Sequence, residues 1–280
     1  MLQFAKGHGT LNDFVLLTDP EDEVAPSDAD VRFLCDRRAG IGGDGLLRAV
    51  RARHLPGWDG DPDLWFMDYR NADASVAEMC GNGLRVFLRY LHEEGLIPAD
   101  ATTVEVATRA GLRSGRLLPD GRVRVWMGHP SVGGDAVSVT VGGRTWDATP
   151  VDVGNPHAVA LVASATELEA LDLGTPPGWA PASAFPQGVN VEFVDELAPG
   201  RVRLRVHERG VGETPSCGTG TVAAASAVAA SHALDEGTWT VEVPGGVVEV
   251  ELRAGQAWLT GPAVIVARGA VHLRAEEGTT

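Results

Sequence analysis

Two cysteines sit in matching contexts, Met79-Cys80-Gly81-Asn82-Gly83 and Ser216-Cys217-Gly218-Thr219-Gly220, and each runs directly into an apolar, helix-like stretch. A thiol at a helix start faces unpaired backbone amides and the positive end of the helix dipole, which favour thiolate and bring proton exchange toward neutral pH. The flanking glycines permit close backbone approach, and the amides of Gly81, Asn82, Gly83 and of Gly218, Thr219, Gly220 are expected to be able to hold a carboxylate. Either cysteine alone reads as a small buried residue ahead of a core helix. Two at one register of a repeat point instead to proton transfer by a pair of like groups.

The repeat extends beyond the thiols. The offset from Cys80 to Cys217 is 137 residues, and at the same offset Asn71 and Glu208 close strand-like segments while Thr103-Val104-Glu105-Val106 matches Thr240-Val241-Glu242-Val243. From Trp126 to Trp258 the offset has fallen from 137 to 132, so a hairpin of the second copy is expected to have lost five residues. Two pseudo-symmetric domains are expected: residues 1–130 plus 263–280 carrying Cys80, and residues 131–262 carrying Cys217. A site built between such halves would have one sulfur on either side. The run Ala263 to Leu273 is expected to cross back and complete the first sheet.

The elements that must position these groups read as α+β. Strands are expected at Leu2 to Ala5 and Asp13 to Leu17 around a glycine turn, a helix from Ala29 to Arg38 entered at Pro26-Ser27-Asp28, and strands at Leu46 to Val50 and Leu64 to Tyr69. After Cys80, Leu84, Phe87, Leu88 and Leu91 fall on one helical face, leaving Arg85, Arg89 and His92 outward, and Gly95 is a stop signal. The stretch after Cys217 is apolar nearly all round and so belongs inside a curved sheet. Val/Thr runs broken by Asp120-Gly121, Gly142-Gly143 and Gly245-Gly246 complete each half as a mostly antiparallel sheet wrapped around one central helix.

Composition narrows the chemistry. A net charge of −15 with no basic stripe argues against a nucleic-acid partner. The only lysine is Lys6, outside any recognisable motif, which makes a pyridoxal phosphate Schiff base improbable, and no cofactor is expected. Three scattered cysteines give neither a disulfide framework nor zinc-site spacing, so no metal is expected. Cys35 reads as a packed core residue. The N-terminus lacks a signal peptide's charged start and the longest apolar run is too short for a bilayer, so a cytoplasmic, non-membrane protein is expected.

Several motifs carry less than they first offer. Gly40-Ile41-Gly42-Gly43-Asp44-Gly45 fits G-x-G-x-x-G, but a helix precedes it and a strand follows, the reverse of the dinucleotide fingerprint. Asn155-Pro156-His157 and Gly188-Val189-Asn190 each put an amide at a turn, the usual place for a capping asparagine. Glu208-Arg209 ends a strand ahead of Cys217, where an ion pair could be merely structural. Convergence favours function, since Asn71 and Glu208 share a repeat position.

Taken together, Lys6 to Phe14, Asn71-Ala72-Asp73, Met79 to Arg85, Gly154-Asn155-Pro156-His157, Gly188-Val189-Asn190, Glu208 to Thr214 and Ser216 to Gly220 resemble the diaminopimelate epimerase family. The resemblance implies that family's fold and a cofactor-independent epimerase interconverting LL- and meso-2,6-diaminopimelate, on the route to lysine and peptidoglycan. It implies Cys80 and Cys217 as the proton-transfer groups, with His157 and Glu208 supporting them. It further implies that Asn12, Asn71, Asn155, Asn190, Glu208 and Arg209 bind the substrate, and that the amides at Gly81-Asn82 and Gly218-Thr219 hold the reacting carboxylate. Many members carry Gln where Gly45 stands here, which removes one polar contact. A proline or hydroxyproline racemase would share the paired thiols, a cysteine hydrolase using Cys80 with His157 would need one, and an amino-acid-binding protein neither. The sequence leaves the oligomeric state open, with a homodimer kept as the form to test.

Overall fold

A computed structural model describes residues 1–273; residues 274–280, assigned above to the first half, lie outside the described residues. The chain separates into two compact units, one of Met1–Val125 with the described residues from Pro262 onward and one of Trp126–Gly261.

The first unit opens with β1 (Leu2–Gly9) and β2 (Asn12–Thr18), followed by α1 (Asp28–Cys35), β3 (Gly45–Arg51), β4 (Trp65–Asn71), α2 (Gly81–Glu93), β5 (Val104–Thr108), β6 (Gly111–Leu117) and the start of β7 (Val123–Gly128). The second contains β8 (Ser131–Val132), β9 (Val137–Val141), β10 (Arg144–Asp152), β11 (Pro156–Leu161), α3 (Ala165–Glu169), β12 (Gly178–Ala180), β13 (Asn190–Ala198), β14 (Arg201–Glu208) and β15 (Gly212–Thr214). It ends with α4 (Gly218–Ser231), β16 (Gly237–Val243), β17 (Gly246–Arg253) and β18 (Gln256–Gly261), after which β19 (Val264–Val271) returns to the first unit and pairs antiparallel with β1.

The pairing pattern repeats. From β1 to β7 in sequence order, neighbours join antiparallel, parallel, antiparallel, parallel, antiparallel, antiparallel. The series β10, β11, β13, β14, β16, β17 shows the same succession, ending in the antiparallel partner β18. In β2 and β3 the register sets Phe14 against Gly45, and in β11 and β13 it sets His157 against Asn190. Matching the two ladders therefore equates Phe14 with His157, Asn12 with Asn155, Gly45 with Asn190 and Leu47 with Glu192. The β6–β7 turn occupies residues 118–122 while Ala254-Gly255 suffices between β17 and β18, so this turn accounts for three of the five residues by which the offset falls.

Each unit encloses its second helix. In α2, Leu84, Phe87, Leu88 and Leu91 are fully buried, and the helix stops in a Schellman arrangement: Gly95 has φ 66°, its N–H donates to His92 and that of Leu96 to Leu91. In α4, the run from Thr221 to Ala229 is buried on every side, as a stretch apolar except for Thr221 and Ser226 requires.

Local expectations shift at several points. The β1–β2 turn is made by Thr10 and Leu11, with φ of 51° and 63°, rather than by a glycine. The first helix is shorter than expected, Asp28–Cys35, because Asp36 leaves the helix and its side chain accepts the N–H groups of Arg38 and Ala39. Ser27 caps its start reciprocally with Asp30. The fourth strand begins at Trp65 rather than Leu64. Arg85, expected to face outward, is wholly buried, and Arg89 and His92 are half-buried, because strands cover the helix on its polar side as well. No helix of the described residues is long and apolar enough to cross a membrane.

Candidate functional site

In the first unit β4 ends at Asn71 and the chain turns into α2 with Cys80 as its N-cap. The sulfur takes the part usually played by a serine oxygen: the Gly83 N–H donates to Sγ at 3.3 Å, and the Leu84 N–H to the Cys80 carbonyl at 2.8 Å. The Cys80 thiol lies 3.6 Å from Asn12 Oδ1, which also accepts from Asn82 Nδ2 at 3.4 Å. Asn12 Nδ2 donates in turn to Asp44 Oδ2 at 2.8 Å. Asn12, Cys80 and Asn82 thus form one hydrogen-bonded cluster, with Gly81 buried beside them. Asn71 is held separately, its Nδ2 donating to Ser75 Oγ at 2.9 Å, and it stands opposite Gly45 in the ladder.

Gly45 has no room for a side chain. A Cβ there would lie 2.6 Å from the Arg70 carbonyl oxygen and 2.8 Å from Tyr69 Cε2. The glutamine that the resemblance leads one to expect at this position has no space in this backbone.

The second unit repeats the cap with Cys217, which accepts the Gly220 N–H at 3.4 Å while the Thr221 N–H donates to its carbonyl at 2.9 Å. From the sulfur a chain of contacts runs inward: Thr219 Oγ1 at 3.5 Å, Asn155 Nδ2 to that hydroxyl at 3.4 Å, and Asn155 Oδ1 to His157 Nε2 at 3.0 Å. It ends where His157 Nδ1 meets Glu192 Oε1 at 2.7 Å, with both side chains fully buried. Asn190 is the first residue of β13 rather than part of the preceding turn; its Nδ2 donates to the Pro156 carbonyl at 3.1 Å and its Oδ1 accepts the Arg209 N–H at 3.0 Å. Glu208 accepts from Thr214 Oγ1 and makes no ion pair with Arg209 among the described residues; the Arg209 guanidinium is exposed and reaches the Gln187 carbonyl at 3.4 Å.

Of the second-unit residues singled out above, Asn155, His157 and Thr219 connect to Cys217 at the helix start that Gly218 opens, Glu208 hydrogen-bonds to the same sulfur, and Asn190 and Arg209 are joined to each other. Glu192 was missed. In the strand Asn190–Ala198 it alternates with Val191 and Phe193 and so reads as solvent-facing, yet the first six residues of that strand are all buried. Gly220 is the glycine that admits it, since a Cβ at that position would lie 2.5 Å from Glu192 Oε1.

The electrostatics depart from the simple helix-start expectation. Burial pushes Cys217 well above the ordinary thiol value, and the nearby Glu208 and Glu192 carboxylates add to the rise; Thr219 and the Gly220 N–H oppose it and lose. Burial also raises Glu208, against hydrogen bonds from Thr214 and Cys217. The outcome around Cys217 is a thiol. Cys35, buried at the end of α1, is pushed up to about 11 by burial, which fits a packing role.

A cysteine heading the enclosed helix of each of two like units defines a recognisable fold class. The fold is similar to that of a probable proline racemase from Agrobacterium radiobacter K84, with a TM-score of 0.69 over 99% of this chain and 95% of that one, and the 17% identity makes this a likeness of fold alone. Sequence carries the assignment further. The family model for diaminopimelate epimerase matches residues 4–133 and 149–272. Relatives named diaminopimelate epimerase are 51% identical in Thermobifida fusca, over 98% of this chain and 99% of the relative, and 50% identical in Streptomyces coelicolor, over 96% and 94%. The chain belongs to the diaminopimelate epimerase family.

Proposed function

We propose that the chain is an isomerase that interconverts LL- and meso-2,6-diaminopimelate without a cofactor, supplying lysine and peptidoglycan synthesis, with Cys80 and Cys217 as its acid–base pair. The observation that carries this reading is the equivalence of the two sulfurs: each is the N-cap of its unit's enclosed helix, in a chain of this family.

Inverting an α-carbon requires a base on one face and an acid on the other. In one direction the Cys80 thiolate removes the α-hydrogen as a proton, the C–H electron pair spreads into the α-carboxylate, and the Cys217 thiol delivers its proton to the opposite face. Cys80 is then the thiol and Cys217 the thiolate, and exchange with solvent or the reverse reaction resets them. Burial beside Glu208 and Glu192 supports Cys217 as the protonated member at rest. No pyridinium ring takes up the charge, so the amides at Gly81-Asn82 and Gly218-Thr219 act as preorganised dipoles on the reacting carboxylate.

His157 and Glu208 tune the Cys217 side. Asn12, Asn71, Asn155, Asn190, Glu208 and Arg209 bind the substrate's amino and carboxylate groups, and the exposed guanidinium of Arg209 suits the distal carboxylate. The form proposed for the cell is a cytoplasmic homodimer acting on a free amino acid. The test is incubation of the purified chain with LL-diaminopimelate and chromatographic resolution of the stereoisomers. Appearance of the meso form, with L-proline left unracemised in parallel, is the expected result; racemised proline with unchanged diaminopimelate would overturn the assignment.

A further inference from the structure

The two enclosed helices start on different ground. In the second unit Gly220 packs on Glu192, beside His157. At the matching positions of the first unit, a Cβ on Gly83 would meet Leu47 Cδ2 and Phe14 Cζ at 3.5 Å, so the floor beneath Cys80 is apolar. The reverse exchange occurs one turn into each helix, where Val222 of α4 corresponds to Arg85 of α2.

Arg85 has no exposed surface. Its Nη2 donates to Asn82 Oδ1 at 2.8 Å and to Thr10 Oγ1 at 3.1 Å, whereas Nε and Nη1 have no partner among the described residues and no carboxylate there pairs with it. A guanidinium buried without a counter-ion is strongly unfavourable, and such a group persists where another anion or a functional demand offsets the cost. Burial lowers Arg85 to about 10, and the single charge that opposes this is Cys80.

A line of oriented amides connects the two. Arg85 has only donors, so Asn82 must present Oδ1 to it; Asn82 Nδ2 then donates to Asn12 Oδ1, and Asn12 Nδ2 to the Asp44 carboxylate. Neither amide can flip without setting donor against donor or acceptor against acceptor. Cys80 Sγ sits beside this line, 3.6 Å from an Asn12 oxygen that also accepts from Asn82.

Charges on the neighbouring elements are paired with one another or exposed. Asp44 and Asp13 are offset by Arg37, which pairs with both, and by Lys6, which bonds Asp13 at 2.6 Å. Glu78 is exposed and screened by solvent, His8 on β1 is half-exposed, and Arg89 with Glu93 lies further along α2. Arg85, by contrast, pairs with no carboxylate among the described residues.

We propose that Arg85 is a positioning residue for Cys80: its buried guanidinium, matched by no carboxylate, favours the thiolate form of that sulfur and pins the amides of Asn82 and Asn12 beside it. This rests on the two-thiol reading above, and it makes the pair unequal by construction, with a buried cation behind one sulfur and buried carboxylates behind the other.

The test uses the full-length chain without substrate, so its result stands apart from whether the chain epimerises diaminopimelate. Alkylation of Cys80 by iodoacetamide is followed by peptide mapping from pH 5 to pH 10 in the parent, Arg85→Gln and Arg85→Lys, with folding checked by circular dichroism. Gln keeps donors for Asn82 and Thr10 but removes the charge, so the alkylation midpoint rises by about one unit, a roughly tenfold slower reaction at neutral pH; Lys restores most of it. A folded Arg85→Gln protein with the parent's midpoint would overturn the proposal. Should the variants not fold, the unaltered chain decides through the ratio of rates with anionic iodoacetate and neutral iodoacetamide. That ratio is expected to be several-fold higher at Cys80 than at Cys217, which shares the helix-start position but lies among carboxylates, and an equal or lower ratio at Cys80 contradicts the proposal.

Discussion

His157 Nδ1 lies 2.7 Å from Glu192 Oε1, and neither side chain has any exposed surface. The matching positions of the first unit hold Phe14 and Leu47, both buried and apolar. One helix start therefore rests on an ionisable pair and its counterpart on hydrocarbon, in otherwise equivalent ladders.

Breaking that pair on one side leaves a buried polar group without its partner, at a cost of about 3–5 kcal/mol. Glu192→Leu is expected to lose about that much in urea unfolding. The double change His157→Phe with Glu192→Leu imports the pair already used in the first unit and is expected to be more stable than the single variant, while losing epimerase activity. A double variant that is less stable than Glu192→Leu would show that the pair does not stand in for an apolar contact.

Glu208 gives a pH signature. Burial raises its carboxyl above the unfolded value of about 4.3. A raised folded value means that the protonated form is the favoured one: its stabilising contribution is fully present below the unfolded value and is lost as pH rises through the folded value. Glu208→Gln mimics the protonated form permanently. Its Tm is therefore expected to exceed that of the parent at pH 8 and to fall back to the parent's near pH 4; a variant whose Tm difference is the same at both values contradicts the burial argument.

The thiols themselves are expected to be separately indispensable. Cys80→Ser and Cys217→Ser keep a helix-capping oxygen but offer a poor acid and base, so each should lose at least about a thousandfold in turnover with little change in the circular dichroism spectrum. Retention of more than a tenth of the parent rate in either folded variant would remove that residue from the proposed mechanism.

The thiols were legible because both their spacing and their local sequence repeat without an intervening insertion. The equivalence of Asn12 with Asn155 and of Gly45 with Asn190 was not, since the connections between these strands differ in length and no single offset aligns them; only the strand registers do. Glu192 and Arg85 were misread or overlooked for one shared reason. Strand alternation and helical periodicity assume a solvent face, and β13 and the start of α2 are covered on both sides, so polar residues there turn inward. The helix-start argument for a thiolate likewise named a real effect but not its competitors, burial and two carboxylates, which win at Cys217.

Two distinct proton carriers are the central claim, and the fate of solvent hydrogen tests it most directly. The group that removes the α-hydrogen differs from the group that delivers one to the opposite face, and the delivering thiol has exchanged with solvent beforehand. In deuterium oxide, meso product formed from LL-diaminopimelate in the first few per cent of reaction should carry α-deuterium in full, while the remaining LL substrate is almost unlabelled. Early-time mass spectra of the resolved stereoisomers that show equal label in both, or original hydrogen retained in product, would contradict Cys80 and Cys217 acting as an acid–base pair.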